Sequence, residues 1–117
     1  MRVMKERFGT DPADVLVGMG PGFRSHSLER LPARISDDVL WQMHCHQDGR
    51  GFLVDLFGYN RDCLMAVGVP EEQIEECPFD TYICTDFFSH RRSTKTGEPE
   101  GRHACAVGMM SLELCTP

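Results

Sequence analysis

The feature that most constrains the fold is a stretch near the end of the chain in which apolar packing gives way abruptly to positive charge. It reads Phe-Phe-Ser-His-Arg-Arg at positions 87–92, and after a polar loop at 93–100 come Gly-Arg-His-Ala at 101–104 and an apolar run at 105–112. This order predicts a buried strand that opens into a pocket. Guanidinium forks pair with phosphate or carboxylate and stack on flat rings, so the pocket would take an anionic or planar ligand.

Helix and strand signals alternate along the chain and predict an α+β fold, with a mixed sheet and packed helices. A short helix should end at Gly9, the Ser-Asp-Asp segment at 36–38 should cap a second one, and Asp55 should cap a third that stops at Gly68. Predicted strands cover residues 15–19, 52–54, 87–90 and 104–112, with a less regular extended segment at 74–82 and a helical turn at 25–31.

Length and charge narrow the possible functions. With 117 residues, we expect a single domain over 1–117. The formal net charge of −6 argues against nucleic-acid and anionic-membrane partners, which call for a basic face. No apolar segment approaches the ~20 residues of a membrane span, and the charged N-terminus is unlike a signal peptide, so we expect a cytoplasmic location. The acidic run at residues 71–76 is interpreted as a solvated face.

Six cysteines would suggest disulfides in a small secreted protein. Here they lie mostly inside apolar runs and no secretion signal precedes them, so we expect reduced and buried thiols. A thiolate at Cys77 or Cys84 beside His90 or His103 would permit nucleophilic catalysis, although buried structural cysteine is the ordinary interpretation. The Gly-Met-Gly-Pro-Gly segment at 18–22 is interpreted as a tight turn, since it lacks the lysine of a phosphate-binding loop.

Three segments together resemble the YfiH-like family, long labelled multicopper polyphenol oxidoreductases or laccase-domain proteins. Residues 8–22 resemble its helix, strand and Ile-Gly-Pro turn, and residues 52–77 resemble its Leu-Asp-Leu, Asn-Arg and Gly-Val helix. Residues 87–109 are similar to its Phe-Phe-Ser-Tyr-Arg-Arg and Gly-Arg-Met-Ala ending, with His90 and His103 in place of the tyrosine and the methionine. The resemblance covers about residues 5–113. This part of the chain is similar to the C-terminal half of the family domain.

This resemblance implies an enzyme of purine nucleoside metabolism, with zinc-dependent phosphorylase and adenosine deaminase activities in the intact family. Purine nucleosides and phosphate would be held by Ser89, Arg91, Arg92 and Arg102. The family's zinc ligands lie in segments that precede the Gly-Pro turn, upstream of the part that matches. We therefore expect a partial YfiH-like domain with no inherited metal site and no tightly bound zinc.

Two segments imitate the family's ligand segments. Residues 41–44 look like its Gln-Val-His segment and residues 62–64 look like its Asp-Cys segment, but both follow the Gly-Pro turn. A separate local pattern is His44-Cys45-His46: in an extended chain both imidazoles would lie on one face and could hold zinc together with a third ligand. The alternative interpretation is two surface histidines, and no second cluster with ligand spacing follows.

The cationic residues have a structural interpretation as well. One arginine of the pair would bridge Glu75 or Glu76 while the other faces water, and Ser89 would satisfy a strand end. Two functions therefore stay open: a purine nucleoside enzyme, or a non-catalytic remnant or partner-binding module that keeps the fold without the metal centre. In either case we expect a homo-oligomer, because apolar surface left uncovered tends to find a second copy.

Overall fold

The structure, a computed structural model, describes residues 1–24, 38–47 and 52–108. Within these ranges the helices are α1 (Arg2–Phe8), α2 (Val39–Met43), α3 (Leu56–Ala66) and α4 (His90–Thr96). The strands are β1 (Val17–Met19), β2 (Cys45–Gln47), β3 (Phe52–Val54) and β4 (Ile74–Glu76). Short 3-10 turns at Pro12–Asp14 and Glu71–Gln73 lead towards β1 and β4. The predicted α+β class is confirmed.

The parallel and antiparallel pairings lie in two separate two-stranded sheets. β1 runs parallel to β4, with Val17 opposite Ile74, and β2 runs antiparallel to β3, with Cys45 opposite Val54. Beyond β1 and β4 the parallel pairing continues in an isolated β-bridge between residues 22 and 80. This extension brings the segment after β1 next to the turn that precedes α4.

The predicted helix boundaries are confirmed wherever a short polar side chain or a glycine sets them. Asp38 Oδ1 accepts a hydrogen bond from the backbone N–H of residue 40 at 2.9 Å, and Asp55 Oδ1 accepts one from the N–H of Gly58 at 3.0 Å. Gly9 ends α1 with φ of 65°, and Gly68 follows α3 with φ of 99°, a backbone region that favours glycine.

The strand predicted at residues 87–90 is wrong, because this point of the chain begins a helix. Ser89 is the N-cap of α4 and accepts a hydrogen bond from the backbone N–H of Arg92 at 3.3 Å. The helix ends at Gly97, which has φ of 74°. Residues 93–96 are therefore helical and only 97–100 remain of the predicted polar loop. Hydroxyl capping and a polar helical run outweigh the strand preference of the two aromatics.

The other predicted strands need correction as well. The strand near residues 15–19 is shorter than predicted and is not buried: Leu16 before it is 81% exposed. Residues 104–108 form no strand, and 109–112 lie outside the described residues, as do the turns at 25–31 and 48–51. The segment predicted to be extended at 74–82 is a strand only over β4 and then turns.

Little apolar surface is buried in the described part of the chain. The only apolar side chains buried there are Val54 and Val69. Four of the described cysteines are half-buried and Cys105 is exposed, so the prediction of buried thiols is wrong; their reduced state stays a prediction. Much of the contact between elements is therefore polar or aromatic, as in the edge-on contact of Trp41 with Tyr59, which joins α2 to α3 with ring centroids 5.2 Å apart.

One member of the acidic run is structural. Glu76 accepts hydrogen bonds from Arg24 and from Arg61 of α3, and Arg24 also donates to the carbonyl oxygen of Cys77. The guanidinium of Arg24 stacks 4.2 Å above the ring of Phe57. The other glutamates of the run are exposed, as predicted: Glu71, Glu72 and Glu75. The two arginines thus tie β4 to α3 and to the segment after β1.

Candidate functional site

A polar pocket of about 400 Å³ lies where α4 begins, and we call it the Arg91 pocket. Its lining combines a guanidinium, an imidazole, three hydroxyls and two aromatic rings. The lining residues are Phe23, Thr81, Phe88, Ser89, His90, Arg91 and Thr94. The volume falls in the range of small-molecule sites, and the mixture of aromatic and polar groups is typical of them.

Backbone contacts far apart in sequence build this pocket. The bridge between Gly22 and Asp80 is completed by a hydrogen bond from the N–H of Thr81 to the carbonyl oxygen of Gly22 at 3.0 Å. It places the ring of Phe23 against the edge of Tyr82, with ring centroids 6.2 Å apart. One wall of the pocket therefore comes from the segment after β1 and the opposite wall from α4.

Arg91 stacks on the aromatic wall of the pocket. Its guanidinium carbon lies 4.5 Å from the centroid of the Phe23 ring, a cation–π geometry. Burial lowers the pKa of Arg91 from its ordinary value, since desolvation disfavours the charged form. Arginine nevertheless stays protonated in proteins, so the pocket holds a partly desolvated positive charge beside three hydroxyls.

The neighbouring Arg92 has a different environment. Every nitrogen of its guanidinium donates to the protein: Nε to Glu98, and the two terminal nitrogens to main-chain carbonyl oxygens at 2.6–3.2 Å. Those carbonyls belong to Thr81, Tyr82, Cys84 and Phe87. We call this arrangement the Arg92 cradle. It holds the turn before α4 in shape, and Arg92 is paired with Glu98 instead of the predicted Glu75 or Glu76.

The other predicted site residues lie at different distances from the pocket. Ser89 lines it while capping α4. Arg102 is outside its lining, 79% exposed, and donates to Glu100 Oε1 at 2.8 Å. The same carboxylate lies 2.8 Å from His90 Nδ1, and these two contacts hold the pKa of Glu100 below its usual value, the one from Arg102 more strongly. The structure thus brings Ser89 and Arg91 together and leaves Arg102 on the surface.

The histidine pattern does not form the extended arrangement considered above. His44 ends α2 with φ of −101° and ψ of 5°, and its Nε2 lies 2.7 Å from Asp62 Oδ2 of α3. His46 is an exposed residue of β2. In the described ranges no three His, Cys, Asp or Glu side chains are arranged to hold a metal ion. His44 and His46 therefore do not form the local zinc site considered from the sequence among the described residues.

A tyrosine beside this histidine was not anticipated from the sequence. Tyr59 of α3 donates to Asp38 Oδ2 at 2.9 Å. This hydrogen bond, with a smaller contribution from the Cys63 thiol, raises the pKa of Tyr59 to about 12. The carboxylate of Asp38 thus serves two elements, because its other oxygen caps α2.

A second cavity, larger and apolar, also has Phe23 in its lining, and we call it the α3 cavity. It has a volume of about 670 Å³ and is bounded by Met19 and Phe23 on one side and by Leu56, Leu64 and Val67 of the α3 region on the other. No Asp or Glu occurs among its lining residues in the described ranges. The sequence did not indicate that Phe23 lines both cavities. The only local signal there is an aromatic residue directly after a glycine-rich turn.

Comparison with known proteins gives one family and one structural relative. The family model described as multi-copper polyphenol oxidoreductase laccase matches residues 1–110. The crystal structure of the Bacillus licheniformis hypothetical protein YfiH is similar to this chain with a TM-score of 0.61 and 26% sequence identity. That match covers 80% of this chain and 38% of the YfiH chain. The comparison with curated proteins gave no match.

No helix within the described ranges has the length and apolar character needed to cross a membrane.

The family match extends over most of the chain, and the fold agrees with that of YfiH. The chain therefore belongs to the multi-copper polyphenol oxidoreductase laccase family, the YfiH-like group that its sequence resembles.

Proposed function

We propose that this chain binds purine nucleoside and phosphate in the Arg91 pocket, as the ligand-holding part of a purine nucleoside phosphorylase-type site. The observation that carries the proposal is the stacked guanidinium of Arg91 in a pocket that is also lined by the hydroxyls of Thr81 and Ser89, whereas the Thr94 hydroxyl donates to the carbonyl oxygen of Arg91. A phosphate needs a positive charge and hydrogen-bond donors, and a nucleoside needs an aromatic surface for its base and polar groups for its ribose.

The chemistry of phosphorolysis agrees with such a pocket. A phosphate oxygen attacks the ribose carbon that carries the base, the glycosidic bond breaks, and its electron pair leaves with the purine. Arg91 would hold the attacking phosphate and offset its charge, while Thr81 and Ser89 would position it. Arg92 would contribute indirectly by keeping the turn at residues 81–87 in shape. A substrate role for Arg102, which is exposed and paired with Glu100, stays a prediction.

Calorimetric titration with phosphate and with inosine tests the proposal. Arg91→Gln removes the charge and should weaken phosphate binding by about 1.5–3 kcal/mol, the value of a charged hydrogen bond. Arg102→Gln is the matched control, because it removes the same charge outside the pocket lining, and it should leave binding almost unchanged. Equal losses in the two variants, or no binding of either ligand by the unaltered chain, would contradict the proposal.

Turnover and metal content form a separate prediction. Because the described residues assemble no three-ligand group, we expect the purified chain to carry less than one equivalent of zinc and to convert inosine and adenosine negligibly. Elemental analysis and a product assay measure both quantities. One tightly bound equivalent of zinc that is lost in His44→Ala or His46→Ala would contradict this expectation.

The second candidate is a non-catalytic partner-binding module. It is favoured by the small number of buried apolar side chains in the described residues, Val54 and Val69. The homo-oligomer expected from the sequence under either function would also cover such exposed apolar surface. Light scattering at micromolar concentration tests it, and a monomeric mass together with cooperative unfolding would argue against it.

A further inference from the structure

His90 lines the Arg91 pocket and is held there through one of its two ring nitrogens. Its Nδ1 lies 2.8 Å from Glu100 Oε1, while its Nε2 has no hydrogen-bond partner among the described residues. The imidazole is 71% exposed, so a ligand in the pocket can reach the second nitrogen. One nitrogen is thus engaged within the chain, and the other is available to a ligand.

The carboxylate of Glu100 decides which nitrogen carries the proton when the imidazole is neutral. Arg102 and, more weakly, His90 hold the pKa of Glu100 below its usual value, so this carboxyl is ionised at neutral pH. An ionised carboxylate accepts hydrogen bonds and cannot donate them, so the proton of the neutral ring belongs on Nδ1. The available Nε2 is then a hydrogen-bond acceptor.

This acceptor nitrogen differs from the other polar groups of the pocket. The guanidinium of Arg91 only donates, and the hydroxyls of Thr81 and Ser89 can donate as well. Such donors suit the oxygens of phosphate, whereas an acceptor nitrogen needs a ligand that has a donor of its own. Of the two proposed ligands, the nucleoside provides such donors in the hydroxyls of its ribose. The acceptor therefore adds recognition of the nucleoside to a pocket whose donors suit the anion.

We propose that His90 is a specificity-determining residue of the Arg91 pocket, whose Nε2 accepts a hydrogen bond from a ribose hydroxyl of the bound nucleoside. Glu100 is a positioning residue, because it selects the tautomer of His90 from outside the pocket lining. This inference rests on the proposed nucleoside binding and adds which part of the nucleoside is recognised. A nucleoside with the same base but without the ribose hydroxyls should therefore bind more weakly.

Calorimetric titration with inosine and with 2′,3′-dideoxyinosine tests the contact with the ligand. We expect dideoxyinosine to bind the unaltered chain about fivefold more weakly, as for the loss of one neutral hydrogen bond. His90→Phe keeps a planar ring without the acceptor, so the two nucleosides should then bind equally, while phosphate binding stays unchanged. His46→Phe is the matched control and should keep the fivefold difference, because His46 is exposed on β2 and lies outside the pocket lining.

Heteronuclear NMR of the imidazole nitrogens tests the positioning role of Glu100 without any ligand. At a pH where the histidine rings are neutral, His90 should carry its proton on Nδ1, and its signals are assigned by their loss in His90→Phe. Glu100→Ala should let the form with the proton on Nε2 appear, because the acceptor that selects the tautomer is gone. A merely structural role of Glu100 would leave the tautomer unchanged.

The outcomes separate this inference from the proposed function. Equal binding of the two nucleosides by the unaltered chain, or a difference that persists in His90→Phe, would overturn the role of His90 and leave nucleoside binding intact. A proton on Nε2 of His90 in the unaltered chain would overturn it as well. Absence of binding by either nucleoside would overturn the proposed function and, with it, this contact.

Discussion

The two cavities that share Phe23 are built in opposite ways. The Arg91 pocket is framed by hydrogen bonds within the chain, and the adjacent Arg92 is joined to four carbonyl oxygens of the turn before α4. The α3 cavity is framed by apolar side chains, on a helix that has no buried residue. A polar frame is completed by its own donors and acceptors, whereas an apolar face reaches its stable state only when another surface removes it from water. The predictions below test this contrast.

The largest expected effect comes from breaking the Arg92 cradle. Arg92→Ala should lower the free energy of unfolding by about 3 kcal/mol, because it leaves part-buried carbonyls without donors. Arg92→Lys should recover only part of this loss, since one ammonium group cannot reach four carbonyls as a guanidinium fork does. Urea unfolding curves measure both. A loss equal to that of Arg91→Ala would show that the cradle adds no particular stability.

The packing around the start of α3 can be disturbed at Gly58. A Cβ on Gly58 would lie 2.6 Å from Asp55 Oδ2 and 2.8 Å from the ring of His44, so the cap of α3 or the histidine must move. Such crowding typically costs about 1–3 kcal/mol, and the better helix propensity of alanine returns about 1 kcal/mol. We expect a net destabilisation of Gly58→Ala in thermal unfolding. Gly20→Ala is the control, because its Cβ would meet nothing within 4 Å.

A pH titration of Tyr59 tests the polar contacts of α3 separately from its apolar face. The pKa of Tyr59 is raised to about 12, so at pH values between 10 and 12 the folded chain keeps a proton that the unfolded chain has lost. Its contribution to stability is complete below pH 10 and is lost as the pH rises through 12. Asp38→Asn keeps a capping oxygen but removes the charge, and should lower this pKa. Phenolate absorbance measures it, and an unchanged titration in the variant would contradict the assignment.

The smallest effect is expected at the rim of the Arg91 pocket. Arg102 and His90 hold the pKa of Glu100 below its usual value, so the associated stability is present above that value and is lost as the pH falls through the lowered pKa. All three groups are exposed, and solvent screens their contacts. Glu100→Gln should therefore leave the melting temperature almost unchanged at neutral pH. A clear drop in melting temperature would show that the rim supports the pocket.

The helix boundaries that depend on local chemistry could be predicted from the sequence. The capping segment at 36–38, Asp55 and Gly68 are all predicted as helix boundaries, because a cap depends on one side chain and the backbone next to it, and the structure shows Asp38 as the cap of α2. The helix at Ser89 was missed since two apolar aromatics precede it, although the serine before a polar run and Gly97 after it were the available signals.

The candidate site was only partly predictable for a different reason. Arg91 was identified as a candidate ligand residue, but the contrast between its environment and that of Arg92 arises from carbonyls of a turn and from Phe23, far away in the sequence. Tertiary contacts of that kind leave no periodic or spacing signal. The family resemblance, in turn, was carried by short segments, and it gave the fold and the family without locating a pocket wall.

The pairing of β1 with β4 has a consequence for the order of synthesis. Val17 must wait for Ile74 to leave the ribosome, a delay on the order of several seconds at 5–20 residues per second. The antiparallel strands β2 and β3 are close in sequence and can pair as soon as they emerge. During that delay the nascent β1 has neither its hydrogen-bonding partner nor the bridge at Gly22, so the wall that carries Phe23 is completed only after α3 has been synthesised.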